Sequence, residues 1–188
     1  FKYLNFNKTD EVIVPCLSWI SSFTAVSATG CKVIGADIDE NLHLDEDDLK
    51  RKINKNTKAV LFVHFSGLCK NLTNIRKYLK KKNILLIEDC AQSFGARTNN
   101  KFSGSFGDFS AFSMNPMKIF GCLGEAGGIS FKNKKLTEEF KVLRYAGIIN
   151  KEYCKTPEIN HKIDNIHCYA LKKNLKNINT KIKKRINI

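Results

Sequence analysis

A serine followed five positions later by a lysine, and then by a glycine-rich turn, is an arrangement that can do carbonyl chemistry. Ser113-Met114-Asn115-Pro116-Met117-Lys118 runs into Gly121-Cys122-Leu123-Gly124-Glu125-Ala126-Gly127-Gly128. Phe109 to Phe112 before it reads as a short apolar strand, and Gly128 to Phe131 after it as another. Lys118 therefore belongs on a loop between strands, where a scaffold can aim it into a cleft. A lysine held there can lose its proton, attack a carbonyl and form a Schiff base. The spacing alone does not separate this from a solvated surface lysine, since the chain carries 32 lysines and arginines.

A second stretch narrows the choice. Asn83-Ile84-Leu85-Leu86-Ile87-Glu88-Asp89 is an apolar strand ending in two acids. In an open α/β sheet, ligands bind beyond the carboxyl ends of the strands, so Asp89 is where a ligand-facing carboxylate belongs. An Asp that keeps a pyridinium nitrogen protonated, together with a Schiff-base lysine, is the pair that pyridoxal phosphate (PLP) chemistry uses.

Glu88-Asp89-Cys90-Ala91-Gln92-Ser93-Phe94-Gly95-Ala96 resembles the acid–Asp–x–Ala–Gln–x–x–Gly–Ala segment of the DegT/DnrJ/EryC1/StrS sugar aminotransferases. Gly104-Ser105-Phe106-Gly107-Asp108 and Ser113 to Lys118 resemble that family's next two motifs, in order and at matching spacing. The resemblance runs from Asp10 to about Arg185. It implies an α/β fold, the large domain of the fold-type I PLP enzymes, with a mostly parallel sheet and helices on both faces. It implies a PLP-binding large domain over residues 1–160. A basic helix over 161–188 would then lead toward a small C-terminal domain.

The same resemblance implies roles for individual residues. Lys118 would form the Schiff base with PLP and shuttle a proton during transamination, and Asp89 would pair with the pyridinium nitrogen. Gln92 would sit over the ring near its phenolic oxygen, and Ser113 would give a hydroxyl to the cofactor phosphate. Trp19, on its residue type alone a core or interface aromatic, would stack on the ring. Asn160 would reach the cofactor phosphate of the neighbouring subunit of a homodimer with a shared active site. The implied reaction passes an amino group, by family habit from L-glutamate, to a nucleotide-linked keto-sugar in glycan biosynthesis in the cytoplasm. Three departures stand beside this. The family's Gly-Thr or Gly-Ser phosphate cup would lie upstream of Phe1. Lys162 and His167 stand where arginine and glutamine are usual, and lysine does not replace a bidentate guanidinium. The family protein is also about twice this length. An excerpt of an enzyme, or a non-catalytic remnant of one, is therefore expected.

The elements that must position these residues follow the hydrophobic pattern. Strands are expected at 11–14, 32–39, 59–65 and 83–89. Helices are expected at 18–29 with Ser18 as a possible N-cap, at 44–53, 72–82 and 136–146, and as one stretch from 164 to 185. Residues 1–7 read as the end of a helix and 151–157 as a loop. His64, at the carboxyl end of an apolar run, is either a lining of the substrate pocket or a satisfied structural histidine. The alternation of strands and helices itself argues α/β with a mostly parallel sheet.

Composition excludes several classes. The 188 residues suit one domain, and 43% hydrophobic content supports a core. No run is long enough to cross a membrane, and the N-terminus is not a secretory signal. Seven scattered cysteines with no Cys-x-x-Cys pair argue against a disulfide framework and against a metal site. The net charge of +14 admits an acidic partner, and a nucleic-acid module is the remote alternative. No binding motif supports that module, and the basic stretch at the C-terminal end lacks interleaved aromatics.

Overall fold

The computed structural model describes residues 1–187. A short 3-10 helix at Lys2–Leu4 opens the chain, within the stretch 1–7 that reads as the end of a helix. The strands that follow are β1 (Glu11–Pro15), β2 (Lys32–Ala36), β3 (Thr57–Val63) and β4 (Leu85–Asp89). A two-residue pair, β5 (Arg97–Thr98) and β6 (Lys101–Phe102), precedes β7 (Phe109–Ser113) and β8 (Gly127–Phe131). Between the early strands lie α1 (Ile20–Ser27), α2 (Glu46–Lys52) and α3 (Thr73–Lys81). Beyond β8 come α4 (Thr137–Arg144), the small strands β9 (Ile148–Ile149) and β10 (Tyr153–Cys154), then α5 (Asn165–Lys176) and α6 (Ile178–Ile186).

Six strands form one sheet in the order β2-β1-β3-β4-β7-β8. β1 pairs parallel with β2 and β3, β3 with β4, and β4 with β7. The inner strands β1, β3 and β4 carry apolar runs at 12–14, 59–63 and 85–87 because both of their faces are covered. Alternate residues feed two cores. Ile13, Val60, Phe62 and Leu86 pack with Leu49 of α2 and with Ile75 and Leu79 of α3. Val12, Val14, Ala59, Leu61 and Ile87 pack with Val26 of α1. Each large side chain removed from water in this way contributes roughly 1.5–3 kcal/mol. The α3 stripe expected from the sequence is buried at Leu72, Ile75 and Leu79.

The chain separates into two compact units. One is Phe1–Ser113 with Gly127–Ser130; the other is Met114–Ala126 with the residues from Phe131 onward. These units are not the family domains expected to divide at residue 160. In the second unit the single helix expected over 164–185 is instead two, parted at Asn177 (φ −109°, ψ 8°). Asparagine competes with helical hydrogen bonding through its own short side chain, which favours ends over interiors. The expected loop at 151–157 contains β10, paired antiparallel with β9. At the start of α1 the cap is Trp19, not Ser18.

Candidate functional site

Strand β4 delivers two neighbouring acids to opposite environments, because successive strand side chains point to opposite faces. Glu88 is fully buried, whereas Asp89 is half-buried. Glu88 accepts from His64 Nε2 at 2.8 Å and from the backbone N–H groups of Gly104 (2.8 Å), Phe106 (2.8 Å) and Gly107 (2.5 Å). Burial alone would push its carboxyl up. The donors from His64, Gly107 and Gly104 outweigh that and hold it below the usual glutamate range. The loop closes on this carboxylate only because residue 107 is glycine. A Cβ there would meet Leu86 O at 2.8 Å and Phe109 O at 2.9 Å.

His64 belongs to this buried cluster. Its side chain has no solvent exposure, and its ring meets Phe62 edge-on with centroids 5.1 Å apart. A carboxylate only accepts hydrogen bonds, so Nε2 carries the proton shared with Glu88. A side chain so enclosed offers a substrate nothing to touch; of the two roles considered for His64, the structural one is what the geometry provides. Ligand atoms of His64, Glu88 and Cys90 lie within 4.8 Å of one another. Even so, the oxygens of Glu88 are already engaged. Burial, and then the charge of Glu88, push the Cys90 thiol up and keep it protonated. This is a packed polar cluster rather than a set of open metal ligands.

Asp89 ends β4, beside Val63 of β3 and Ala111 of β7. Its Oδ1 accepts from Ala91 N at 2.9 Å, and its Oδ2 from Ser22 Oγ of α1 at 3.2 Å. Trp19 caps the same helix, with its carbonyl taken by Ser22 N at 3.0 Å, and is 73% exposed. An indole that exposed is not a core residue. Gln92 is exposed, and its Oε1 accepts from Ser66 N at 2.6 Å. The bond from Ser66 N orients the amide, and its N–H donor end is left for a ligand. Ser113 closes β7, two residues past the one level with Asp89. Within the first unit, the carboxyl ends of β3, β4 and β7 and the first turn of α1 thus gather Asp89, Trp19, Gln92 and Ser113.

Lys118 and Asn160 lie in the second unit. The backbone N of Lys118 donates to Asn115 O at 2.9 Å. Asn115 holds the turn further, accepting from Met117 N at 2.9 Å and donating to Glu125 at 2.6 Å. Met114 bonds Ala126 O and Cys122 N, both at 2.8 Å, and Asn174 of α5 reaches Gly121 O at 2.6 Å. Half-buried Lys118 is thereby fixed on a closed turn between exposed Met117 and buried Ile119. Asn160 is exposed; it bridges to Tyr145, and its Oδ1 accepts from Lys162 N at 3.0 Å.

Sequence reasoning gave no role to Glu88 or Ser22. Two consecutive acids at a strand end are a signal for the first, since period two must bury one of them. A serine one turn into a helix carries no comparable signal.

A sequence model of the DegT/DnrJ/EryC1/StrS aminotransferase family matches residues 1–188. The chain belongs to the DegT/DnrJ/EryC1/StrS aminotransferase family. Among its relatives is the dTDP-3-amino-3,4,6-trideoxy-alpha-D-glucose transaminase of Micromonospora megalomicea subsp. nigra. The two are 29% identical over 170 residues, which make up 89% of this chain and 46% of that one. The GDP-perosamine synthase of Escherichia coli O157:H7 is 34% identical over 152 residues, 80% of this chain and 42% of that one. The crystal structure of S. venezuelae DesV in complex with a ketimine intermediate superposes with a TM-score of 0.88. It is 31% identical and covers 94% of this chain and 48% of DesV. The chain thus spans about half the length of the DegT/DnrJ/EryC1/StrS relatives it matches. The α/β fold with a mostly parallel sheet is that of these aminotransferases. Among the described residues, no helix is long and apolar enough to cross a membrane.

Proposed function

We propose that the protein is a PLP-dependent aminotransferase that aminates a nucleotide-linked keto-sugar, with L-glutamate as donor. The observation that carries this reading is Asp89, held by two donors at the carboxyl end of β4, with the exposed Trp19 heading the helix that bonds it. The chemistry of the available groups fits the cofactor: a carboxylate for a pyridinium, an indole face, a hydroxyl and amide donors for oxygens, and a primary amine for an aldehyde. When bound, PLP supplies an electron sink for charge developing on the carbon beside the transferred nitrogen.

Each residue then has a definable task. Asp89 would hold a proton at the ring nitrogen by its opposite charge. Trp19 would cover one ring face and exclude water. Gln92 would donate its N–H to the phenolic oxygen, and Ser113 its hydroxyl to the phosphate. Lys118 would take the aldehyde and later carry a proton between the two reacting carbons. Asn160 has its oxygen engaged by Lys162 N and would offer its N–H to the phosphate of a neighbouring subunit in a homodimer. The substrate class is supported by relatives named for dTDP- and GDP-linked sugars. Seven free thiols suit a reducing cytoplasm.

Borohydride reduction of the protein with PLP, followed by peptide mapping, tests the reading. The label is expected on Lys118, and a label on another lysine overturns the assignment. If titration leaves the PLP absorbance unchanged, a non-catalytic remnant is the better reading, in keeping with Lys162 and His167.

A further inference from the structure

The Asp89 carboxylate is not positioned by its own strand alone. Ser22 is 3% exposed, and its Oγ lies 3.2 Å from Asp89 Oδ2. Ser18 Oγ lies 2.6 Å from Ser22 Oγ. The direction of this chain is fixed by chemistry. A carboxylate has no proton to give, so the Ser22 hydroxyl donates to Asp89. That uses its single proton, so Ser18 must donate to Ser22. Successive hydroxyls oriented this way polarise one another toward the acid. The other oxygen of Asp89 is held from a different direction by Ala91 N. Two donors on two oxygens fix rotation about the Cβ–Cγ bond and so fix the carboxylate plane. The same turn of α1 ends in Trp19, whose carbonyl accepts from Ser22 N.

We propose that Ser22, with Ser18 behind it, is a positioning residue that sets the plane of the Asp89 carboxylate and registers it with the Trp19 end of α1. What the proposal implies for the cofactor rests on the PLP reading above. Under that reading, Ser22 touches neither cofactor nor substrate and acts only through the bond from Asp89 to the ring nitrogen.

Two measurements test it. The first compares the affinity of wild type, Ser22→Ala and Ser22→Thr for PLP and for the analogue with CH in place of the ring nitrogen. Ser22→Ala is expected to weaken PLP roughly five- to tenfold, as loss of one hydrogen bond to a charged group would. It should leave the analogue within twofold, and Ser22→Thr should restore PLP binding. Equal weakening of both ligands would make Ser22 a merely structural residue and overturn the proposal. The second reads side-chain order at Asp89 Cβ by NMR relaxation and needs no cofactor. Order is expected to fall in Ser22→Ala and to return in Ser22→Thr; an unchanged value overturns the proposal. If no variant and no wild type binds PLP, the cofactor reading fails, and the relaxation data still decide whether Ser22 holds Asp89.

Discussion

Asp89 and Lys118, the acid and the amine of the proposed reaction, are held in very different ways. Asp89 ends a strand inside a sheet covered on both faces, next to a carboxylate gripped by an imidazole and three backbone N–H groups. Lys118 sits on a turn closed by a few backbone bonds and two asparagines, in a unit where α4 and α5 bury no residue. In the first region burial fixes geometry and many groups share the load. In the second, hydrogen bonds at a few atoms and the short buried run Ile119, Phe120 and Cys122 fix it. An acid that only has to hold a charge in place can be rigid. Under the proposed function, an amine that forms and releases a covalent bond and passes a proton would gain from a support that yields.

The sharpest way to break this comparison is to empty the buried carboxylate. Glu88→Ala strands His64 and three backbone donors in an apolar interior, at a cost of about 3–5 kcal/mol in urea unfolding. A cost under about 1 kcal/mol would mean that the cluster is not what anchors the loop at 104–107. The pH dependence has a definite sign. The folded-state carboxyl is held below its ordinary range, so its stabilisation is complete above that range and disappears as pH falls through the folded value. Glu88→Gln should therefore flatten the acid limb of the stability curve.

Next in size is a matched pair of core truncations. Leu86 is fully buried in the sheet, and Leu86→Ala should cost about 2–5 kcal/mol. Ile178, among the few buried side chains of the second unit, is 8% exposed near the start of α6, and Ile178→Ala should cost about 1 kcal/mol. Equal costs would erase the distinction between the units. Gly121→Ala acts on the lysine turn itself. Its Cβ would meet Asn115 O at 2.7 Å and Pro116 O at 2.8 Å, so about 1–3 kcal/mol and faster amide exchange at Lys118 and Cys122 are expected. Unchanged exchange there would show that the turn is not held by those contacts.

What could be read from the sequence divides along the same line. The strands of the sheet were legible because burial on both faces writes long apolar runs, and α3 because Leu72, Ile75 and Leu79 recur at helical spacing. The apolar run that ends in Glu88 and Asp89 by itself places an acid at the carboxyl end of a strand. The small hairpins were not legible. β5 and β6 are two residues each, joined by Asn99 and Asn100 at φ 47° and 60°, and such strands carry no periodicity. The parting of α5 from α6 rests on one asparagine in a stretch whose apolar spacing continues through it. Ser22 left no local pattern, because its hydrogen bond spans 67 residues; the paired acids at the end of β4 mark that one is buried, but not that its partner is His64, 24 residues away.

The smallest expected effects come from removing the same kind of group in each unit. Asp45 caps α2, accepting from Asp48 N at 2.6 Å, and Asn133 caps the 3-10 turn Lys134–Leu136 that leads into α4, accepting from Lys135 N at 3.1 Å. Local chemistry would give both losses a similar value, about 1 kcal/mol for a cap replaced by alanine. Helix α2 buries Asp48 and Leu49, so its first turn cannot loosen without disturbing the core, and Asp45→Ala should lower global stability by about that amount. Helix α4 buries nothing, so its start can fray by itself. Asn133→Ala should therefore shift the unfolding midpoint by no more than a few tenths of a kcal/mol. Its effect should appear instead as faster amide exchange at Lys135. If Asn133→Ala cost as much global stability as Asp45→Ala, the second unit would be as tightly built as the first. The yielding support inferred for Lys118 would then have no basis.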